Sequence, residues 1–135
     1  MEKVFIDTSG WVALFVENDK YHKKAASIFE EIKNSKAIIY TSDYVIDETI
    51  TTILVRGSHK QSVLAGEALF ISKIIKIIHV CPDYLQVAWE LYQKYKDKMF
   101  SFTDVTSFVI MKDLNIGKAL AFDREVMQAG IELME

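Results

Sequence analysis

Residues 3–9 read KVFIDTS, a short apolar run that ends in an aspartate and two hydroxyl side chains. The run Lys3–Ile6 predicts a buried β-strand, because it is apolar and rich in β-branched and aromatic residues. Asp7 follows the strand directly. Ser9 is a suitable N-cap for a helix that begins there and presents one apolar face. The stretch therefore predicts a strand that turns sharply into a helix, with a carboxylate at the turn.

The same alternation of strand and helix continues along the chain. Further strands are expected at Ala37–Tyr40, Ile74–Val80, Lys118–Phe122 and Ile131–Met134. The helices expected between them are Tyr21–Asn34, Ser42–Gly57, Ser58–Ser72, a helix that opens at Pro82 with the apolar stripe Leu85, Ala88, Trp89, Tyr92 and Tyr95, then Asp104–Leu114 and Asp123–Gly130. Continuous apolar strands separated by helices are typical of a parallel sheet covered on both faces. The pattern predicts an α/β fold with a mainly parallel sheet of four to five strands.

Composition limits the class of protein. The chain has 135 residues, half of them hydrophobic, with five glycines and one proline, which excludes a disordered chain and favours a single domain over residues 1–135. The lone cysteine, Cys81, has no partner for an internal disulfide, which fits a reducing, cytoplasmic setting. The most apolar region, Ile71–Val80, contains Lys73 and Lys76, so no membrane span is expected.

Four acidic residues fall at comparable places in the predicted fold: Asp7, Glu48, Asp104 and Asp123. Each has a structural interpretation when taken alone, as a turn residue, a helix cap or a solvated helical side chain. Asp7 and Asp123 follow strands, however, while Glu48 and Asp104 lie near helix starts. In a parallel α/β sheet these places face the same edge, where ligands bind. We therefore expect the four carboxylates to lie close together.

Such a cluster predicts a bound cation. Like charges repel, so gathered carboxylates are unfavourable unless a cation or shared protons offset the repulsion. Oxygen ligands suit Mg²⁺ or Mn²⁺, which can activate water and stabilise a phosphodiester during hydrolysis. The formal net charge of −3 does not exclude a nucleic-acid partner, because setting these four acids aside leaves 16 basic against 15 acidic residues.

The ordered motifs VFIDTS (residues 4–9), YVIDE (44–48), SFTD (101–104) and AFDR (121–124) resemble those of the PIN-domain nucleases. Within that family the pattern is most similar to the VapC-type toxins of toxin–antitoxin pairs. The resemblance covers essentially the whole chain. It implies a three-layer α/β/α sandwich and Mg²⁺- or Mn²⁺-dependent cleavage of RNA that leaves a 3′-hydroxyl and a 5′-phosphate.

The resemblance also implies roles for individual residues. Asp7, Glu48, Asp104 and Asp123 match the family's acidic metal ligands, although Asp47 beside Glu48 leaves the second position open to a one-residue shift. A hydroxyl near the metal is expected from Thr103, with Thr8 and Ser9 as alternatives.

The same resemblance suggests partners. Phosphate contacts of RNA are expected from Arg124, Lys23 and Lys24, for which pairing with acids and a solvated helix end are the competing interpretations. A cognate antitoxin is implied as the protein partner. The surplus of apolar residues on the helices Ser42–Gly57 and Ser58–Ser72 predicts a homodimer contact or a groove for a partner helix. The alternative function is a PIN-like domain that binds RNA or protein without cleaving.

Overall fold

The computed structural model describes residues 2–123 and 129–134. Its strands are β1 (Lys3–Ile6), β2 (Ile38–Ser42), β3 (Ile75–Ile78), β4 (Lys118–Leu120) and β5 (Glu132–Met134). Its helices are α1 (Thr8–Phe15), α2 (His22–Asn34), α3 (Asp43–Arg56), α4 (His59–Ile71), α5 (Pro82–Lys94) and α6 (Phe102–Asp113). Strands and helices alternate, as the sequence pattern predicts.

The five strands form one sheet in the order β3-β2-β1-β4-β5, and every neighbouring pair is parallel. In the register of the central strand, Phe5 lies between Tyr40 of β2 and Ala119 of β4. The predicted α/β class is confirmed, and the sheet is wholly parallel within the described residues. The chain builds outward from β1 on one side, then crosses to build β4 and β5 on the other. The gap between β1 and β4 is therefore the place where the strand order reverses.

Strand β1 is buried on both faces. Val4, Phe5 and Ile6 are fully inaccessible to solvent, although successive side chains of a strand point to opposite faces. Helix α1 packs against α2 and α3, while α5 and α6 pack against each other. The result is a three-layer α/β/α arrangement that buries the ends of β1 and β4 among helices.

Three of the described helices begin with a serine N-cap. The hydroxyl oxygens of Ser42, Ser58 and Ser101 accept backbone hydrogen bonds at the first turns of α3, α4 and α6. The prediction that Ser9 caps α1 is wrong. The N-cap position is occupied by Asp7, two residues before Ser9, and Ser9 lies within the first turn of the helix.

The structure also differs from the sequence prediction on helix α5 and at the end of β4. The apolar stripe predicted on α5 is only partly buried: Ala88 is buried, whereas Trp89 remains 52% exposed and Tyr92 40% exposed. Strand β4 ends at Leu120 rather than Phe122. Most of the helix expected at Asp123–Gly130 falls outside the described residues. No helix in the described part of the chain is long and apolar enough to cross a membrane.

Candidate active site

An open cleft of about 480 Å³ lies at the carboxyl ends of β1 and β4. Its lining includes all four acids singled out from the sequence: Asp7, Glu48, Asp104 and Asp123. The position matches the rule that ligands of open α/β sheets bind where the strand order reverses. The expected convergence of the four acidic positions is therefore seen in the structure.

Three contacts bring Asp7 and Asp123 to the same place. The backbone N–H of Asp7 donates to the carbonyl oxygen of Leu120 at 3.2 Å. The hydroxyl oxygen of Ser9 accepts a hydrogen bond from the backbone N–H of Phe122 at 2.9 Å. Gly10 completes the junction, because a Cβ there would collide with the carbonyl oxygen of Leu120. The first turn of α1 thus lies directly against the end of β4.

Helix α3 supplies one side of the cleft. Glu48, Thr52 and Arg56 all line it, and their spacing of four residues places them in a row along one helix face. Asp47 is exposed and is not among the lining residues. Of the two adjacent acids, the structure therefore places Glu48 in the cleft.

Asp104, which lines the cleft, also forms hydrogen bonds with Ser101 at the start of α6. One of its carboxylate oxygens accepts a hydrogen bond from the backbone N–H of Ser101 at 3.0 Å, while the Ser101 hydroxyl accepts from the backbone N–H of Asp104 at 3.0 Å. This reciprocal pair is a capping box at the start of α6. Asp104 is thus at once a cap and a lining residue of the cleft, so the structural and functional interpretations of this acid both hold geometrically.

The electrostatics of the cleft centre on Asp7. The pKa of Asp7 is raised to about 7, chiefly by burial. The nearby charges of Asp104, Glu48 and Asp123 contribute to this rise, and a hydrogen bond from the backbone of Thr8 opposes it. Burial also raises the pKa of Asp104, with Glu48 and Asp123 adding to the effect. The four carboxylates therefore interact with one another through a poorly solvated site.

The donor set fits a hard divalent cation. Asp7 Oδ1 is buried and has no hydrogen-bond partner within the described structure, so it is an acceptor left available to a cation. The side chains around it offer oxygen atoms, which suit Mg²⁺ and Mn²⁺. Among residues 2–123 and 129–134, no three acidic, histidine or cysteine side chains are close enough to form a complete ligand set. Binding such an ion would therefore need the acids of the cleft to come closer together than they are in this structure.

The three candidate hydroxyl groups differ in position. Thr8 and Ser9 line the cleft, whereas Thr103 does not. The Ser9 oxygen is occupied by Phe122, but the Thr8 Oγ1 atom is buried without a hydrogen-bond partner in the described structure. Thr103 uses its carbonyl oxygen to accept from Thr106 and Ser107 within α6. The structure thus favours Thr8 as the available hydroxyl beside Asp7.

The structure does not place the basic residues predicted to contact RNA phosphates in the lining of the cleft. Lys23 and Lys24 are exposed in the first turn of α2 and do not line the cleft, and Arg124 lies outside the described residues. Sequence reasoning missed Arg56, which does line it. The sequence signal that could have found it is its spacing, because Arg56 follows Glu48 by eight residues and so lies on the same face of the helix.

Comparison with known proteins agrees with this geometry. The family model of the PIN domain matches residues 4–131. The chain belongs to the PIN-domain family. It is also 33% identical over 127 residues to the 23S rRNA-specific endonuclease VapC20 of Mycobacterium tuberculosis, an alignment that covers 94% of each chain. The predicted membership, and the particular similarity to VapC-type proteins, are confirmed.

Solved structures place this PIN domain in the same fold. The crystal structure of M. tuberculosis VapC20, described as a sarcin–ricin loop cleaving toxin, superposes with a TM-score of 0.86 and covers 96% of both chains. FitAcB of Neisseria gonorrhoeae gives a TM-score of 0.68 at 12% identity, covering 98% of this chain and 96% of that one. PAE2754 of Pyrobaculum aerophilum gives 0.61 at 12% identity, covering 98% and 90%. The last two support the fold alone.

Proposed function

We propose that this PIN domain is a divalent-metal-dependent endoribonuclease and the toxin of a toxin–antitoxin pair. The observation that carries the proposal is the cleft lined by Asp7, Glu48, Asp104 and Asp123, with Asp7 buried and one of its oxygens unpartnered. A buried carboxylate without a partner is costly, and repulsion from three more acids adds to that cost. A role in binding a cation explains why all four are present.

In this proposal the four carboxylates hold Mg²⁺ or Mn²⁺, with Asp7 as the most buried ligand. The chemistry supplied by such an ion is the activation of water and the neutralisation of charge on the phosphodiester. Burial of Asp7 beneath α1 keeps its oxygen fixed, and the capping box holds the backbone of Asp104 at the edge of the cleft. The Thr8 hydroxyl stands beside Asp7 as a further oxygen ligand or as a donor to a substrate oxygen. Thr103 remains the alternative hydroxyl predicted from sequence.

The proposed substrate is RNA, cut to leave a 3′-hydroxyl and a 5′-phosphate. The open cleft accepts an extended strand or an exposed loop more readily than a small enclosed substrate. Because VapC20 is described as cleaving the sarcin–ricin loop of 23S rRNA and covers nearly this whole chain, a hairpin of that sequence is the first RNA to test. Lys23, Lys24 and Arg124 remain candidates for phosphate contacts.

The proposed partners are an antitoxin and a second copy of the chain, in the cytoplasm. Helices α3 and α4 leave apolar side chains in solvent, among them Val55 at 78%, Phe70 at 62% and Ile71 at 75% exposure. Contiguous exposed apolar surface is typical of interaction sites. A monomeric mass in solution at micromolar concentration would contradict the homodimer.

The test of the enzyme is RNA cleavage by matched acid variants. Purified protein is incubated with the hairpin and with an unstructured RNA, in Mg²⁺, in Mn²⁺ and in chelator. Asp7→Asn and Glu48→Gln are expected to lower the cleavage rate at least 100-fold, since each removes a ligand charge. Asp47→Asn is the control, because Asp47 is an exposed acid adjacent to Glu48 that does not line the cleft.

Two outcomes would contradict the proposal. If wild type cleaves RNA equally well in chelator, cleavage does not depend on a divalent metal. Absence of cleavage by wild type in either metal, with RNA still bound, would favour the non-catalytic RNA-binding alternative.

A further inference from the structure

One cationic side chain stands among the acids of the cleft. Of the described residues that line it, Arg56 is the only one with a lysine, arginine or histidine side chain. Arg56 is the last residue of α3, and its guanidinium Nη1 donates to Asp19 Oδ2 at 3.1 Å. Asp19 also lines the cleft. The ion pair is thus part of the cleft wall.

The position of Arg56 separates it from the proposed metal site. Glu48 and Arg56 lie on one face of α3 and are eight residues apart, about 12 Å along the helix axis. Thr52 lies between them and also lines the cleft. Arg56 therefore lies about two helical turns from Glu48, and an RNA strand that follows this face of α3 would bring another of its phosphates there.

Asp19 holds Arg56 in place without using up its donors. The side chain of Asp19 is only 13% exposed, and its other oxygen, Oδ1, accepts a hydrogen bond from the backbone N–H of Tyr21 at 2.9 Å. The Arg56 side chain stays 44% exposed. A guanidinium has five N–H donors in a rigid fork, so the bond to Asp19 leaves donors that can bind a phosphate.

We propose that Arg56, positioned by Asp19, is a phosphate-binding site for a nucleotide that flanks the cleaved bond. The inference rests on the proposed RNA substrate. Among the described lining residues, Arg56 is the one cation, and it lies at the end of the cleft distant from the proposed metal ligands. In this role it anchors the strand and takes no part in bond cleavage. Such a contact to the backbone strengthens binding equally for all sequences.

The competing role for Arg56 is structural. Its ion pair joins the end of α3 to the segment before α2, and a partly exposed pair of this kind contributes little to stability. The two roles differ in what they require. A structural tie is lost equally when either partner is removed. A phosphate site is abolished by loss of the cation and only weakened by loss of Asp19, which positions it.

The experiment measures binding of a labelled RNA hairpin by fluorescence anisotropy, in chelator, over a series of salt concentrations. Arg56→Gln is expected to weaken binding about tenfold and to reduce the slope of log K against log salt by about 0.7, the value for one phosphate contact on a single strand. Lys33→Gln is the control, since Lys33 is also in an exposed ion pair, with Glu30, but lies away from the cleft. Asp19→Asn should retain the wild-type salt slope, because the cation is still present.

Cleavage kinetics supply the second readout. Arg56→Gln is expected to raise KM with kcat unchanged. The inference is overturned if Arg56→Gln and Lys33→Gln bind RNA alike, or if Asp19→Asn reproduces the full loss seen in Arg56→Gln. RNA binding is measured in chelator, so a failure of the Arg56 inference can be told apart from a failure of the proposed function. The proposed function fails when the wild-type protein itself shows no metal-dependent cleavage.

Discussion

The hydroxyl oxygen of Ser9 accepts a hydrogen bond from the backbone N–H of Phe122 at 2.9 Å. This bond joins the first turn of α1 to the segment that leads into Asp123, across 113 residues of sequence. It therefore links the two strand ends that carry Asp7 and Asp123. The arrangement of the acids depends on contacts of this kind, which are made by residues that are not ligands themselves.

Replacing Ser9 by alanine tests that link. Ser9→Ala leaves the half-buried N–H of Phe122 without its acceptor, so we expect the free energy of unfolding to fall by about 1 kcal/mol. We also expect cleavage to fall, because Asp123 loses its support. Urea unfolding and the cleavage rate measure the two effects. Ser27→Ala, at an exposed position of α2, is the matched control, and equal stability of the two variants would refute the link.

Gly10 is expected to tolerate no side chain. In Gly10→Ala the added methyl group meets the Leu120 carbonyl oxygen, and the two elements that hold Asp7 and Asp123 must separate. Overpacking of this kind costs about 1–3 kcal/mol, more than the gain from alanine in a helix. Thermal unfolding measures the loss. Gly117→Ala, where no atom lies within 4 Å of the added group, should be much milder.

The pH dependence of stability follows from Asp7. Its pKa is raised from 3.8 to about 7 in the folded protein, so the folded state binds a proton more tightly than the unfolded state. Stability from this group is complete below pH 3.8 and is lost as pH rises through about 7. In chelator, wild type should therefore lose stability relative to Asp7→Asn between pH 5 and 8. Denaturant titrations at both pH values measure this difference, and a constant difference would contradict the raised pKa.

The two aspartates at the cleft should respond differently to neutralisation. Asp7→Asn removes a buried charge, one oxygen of which has no partner in the described structure, and is expected to stabilise the metal-free protein at neutral pH by about 1–3 kcal/mol. Asp104→Asn relieves less repulsion and weakens the hydrogen bond to Ser101, so its gain should be smaller. Melting temperatures in chelator rank the variants. A lower melting temperature for Asp7→Asn than for wild type would show that this acid is structural.

Divalent metal should stabilise wild type. Binding to the folded state alone adds about 2.7 kcal/mol when the metal is at 100 times its dissociation constant. We expect Mn²⁺ to raise the melting temperature of wild type and to have little effect on Asp7→Asn. Ca²⁺ serves as a comparison for ion size. An equal rise in both proteins would place the bound metal elsewhere.

Much of the fold could be predicted from local pattern. Continuous apolar strands and serine caps are signals carried by neighbouring residues, so β1 and the starts of α3, α4 and α6 follow from the sequence. The start of α1 did not, because the role of Ser9 is set by Phe122, far away in sequence. The exposure of Trp89 was missed for a similar reason, since a helical stripe does not show which part its neighbours cover.

The acids of the site could be predicted because parallel strands share an edge. Glu48 could be separated from Asp47 only once the direction of α3 was known. Arg56 had no motif, and its pairing with Asp19 depends on how α3 packs beside the segment after α1. The role of Asp104 could not be decided from the sequence, because this residue forms the capping box of α6 and also lines the cleft.

The order of the strands also bears on how the protein is made. Strand β4 pairs with β1 across more than 110 residues, so this pairing cannot form in the interval before β4 has emerged from the ribosome. During that interval Asp7 and Glu48 are present without Asp104 and Asp123. Under the proposed function, the complete acidic site, and with it RNA cleavage, is available only after translation has passed residue 123.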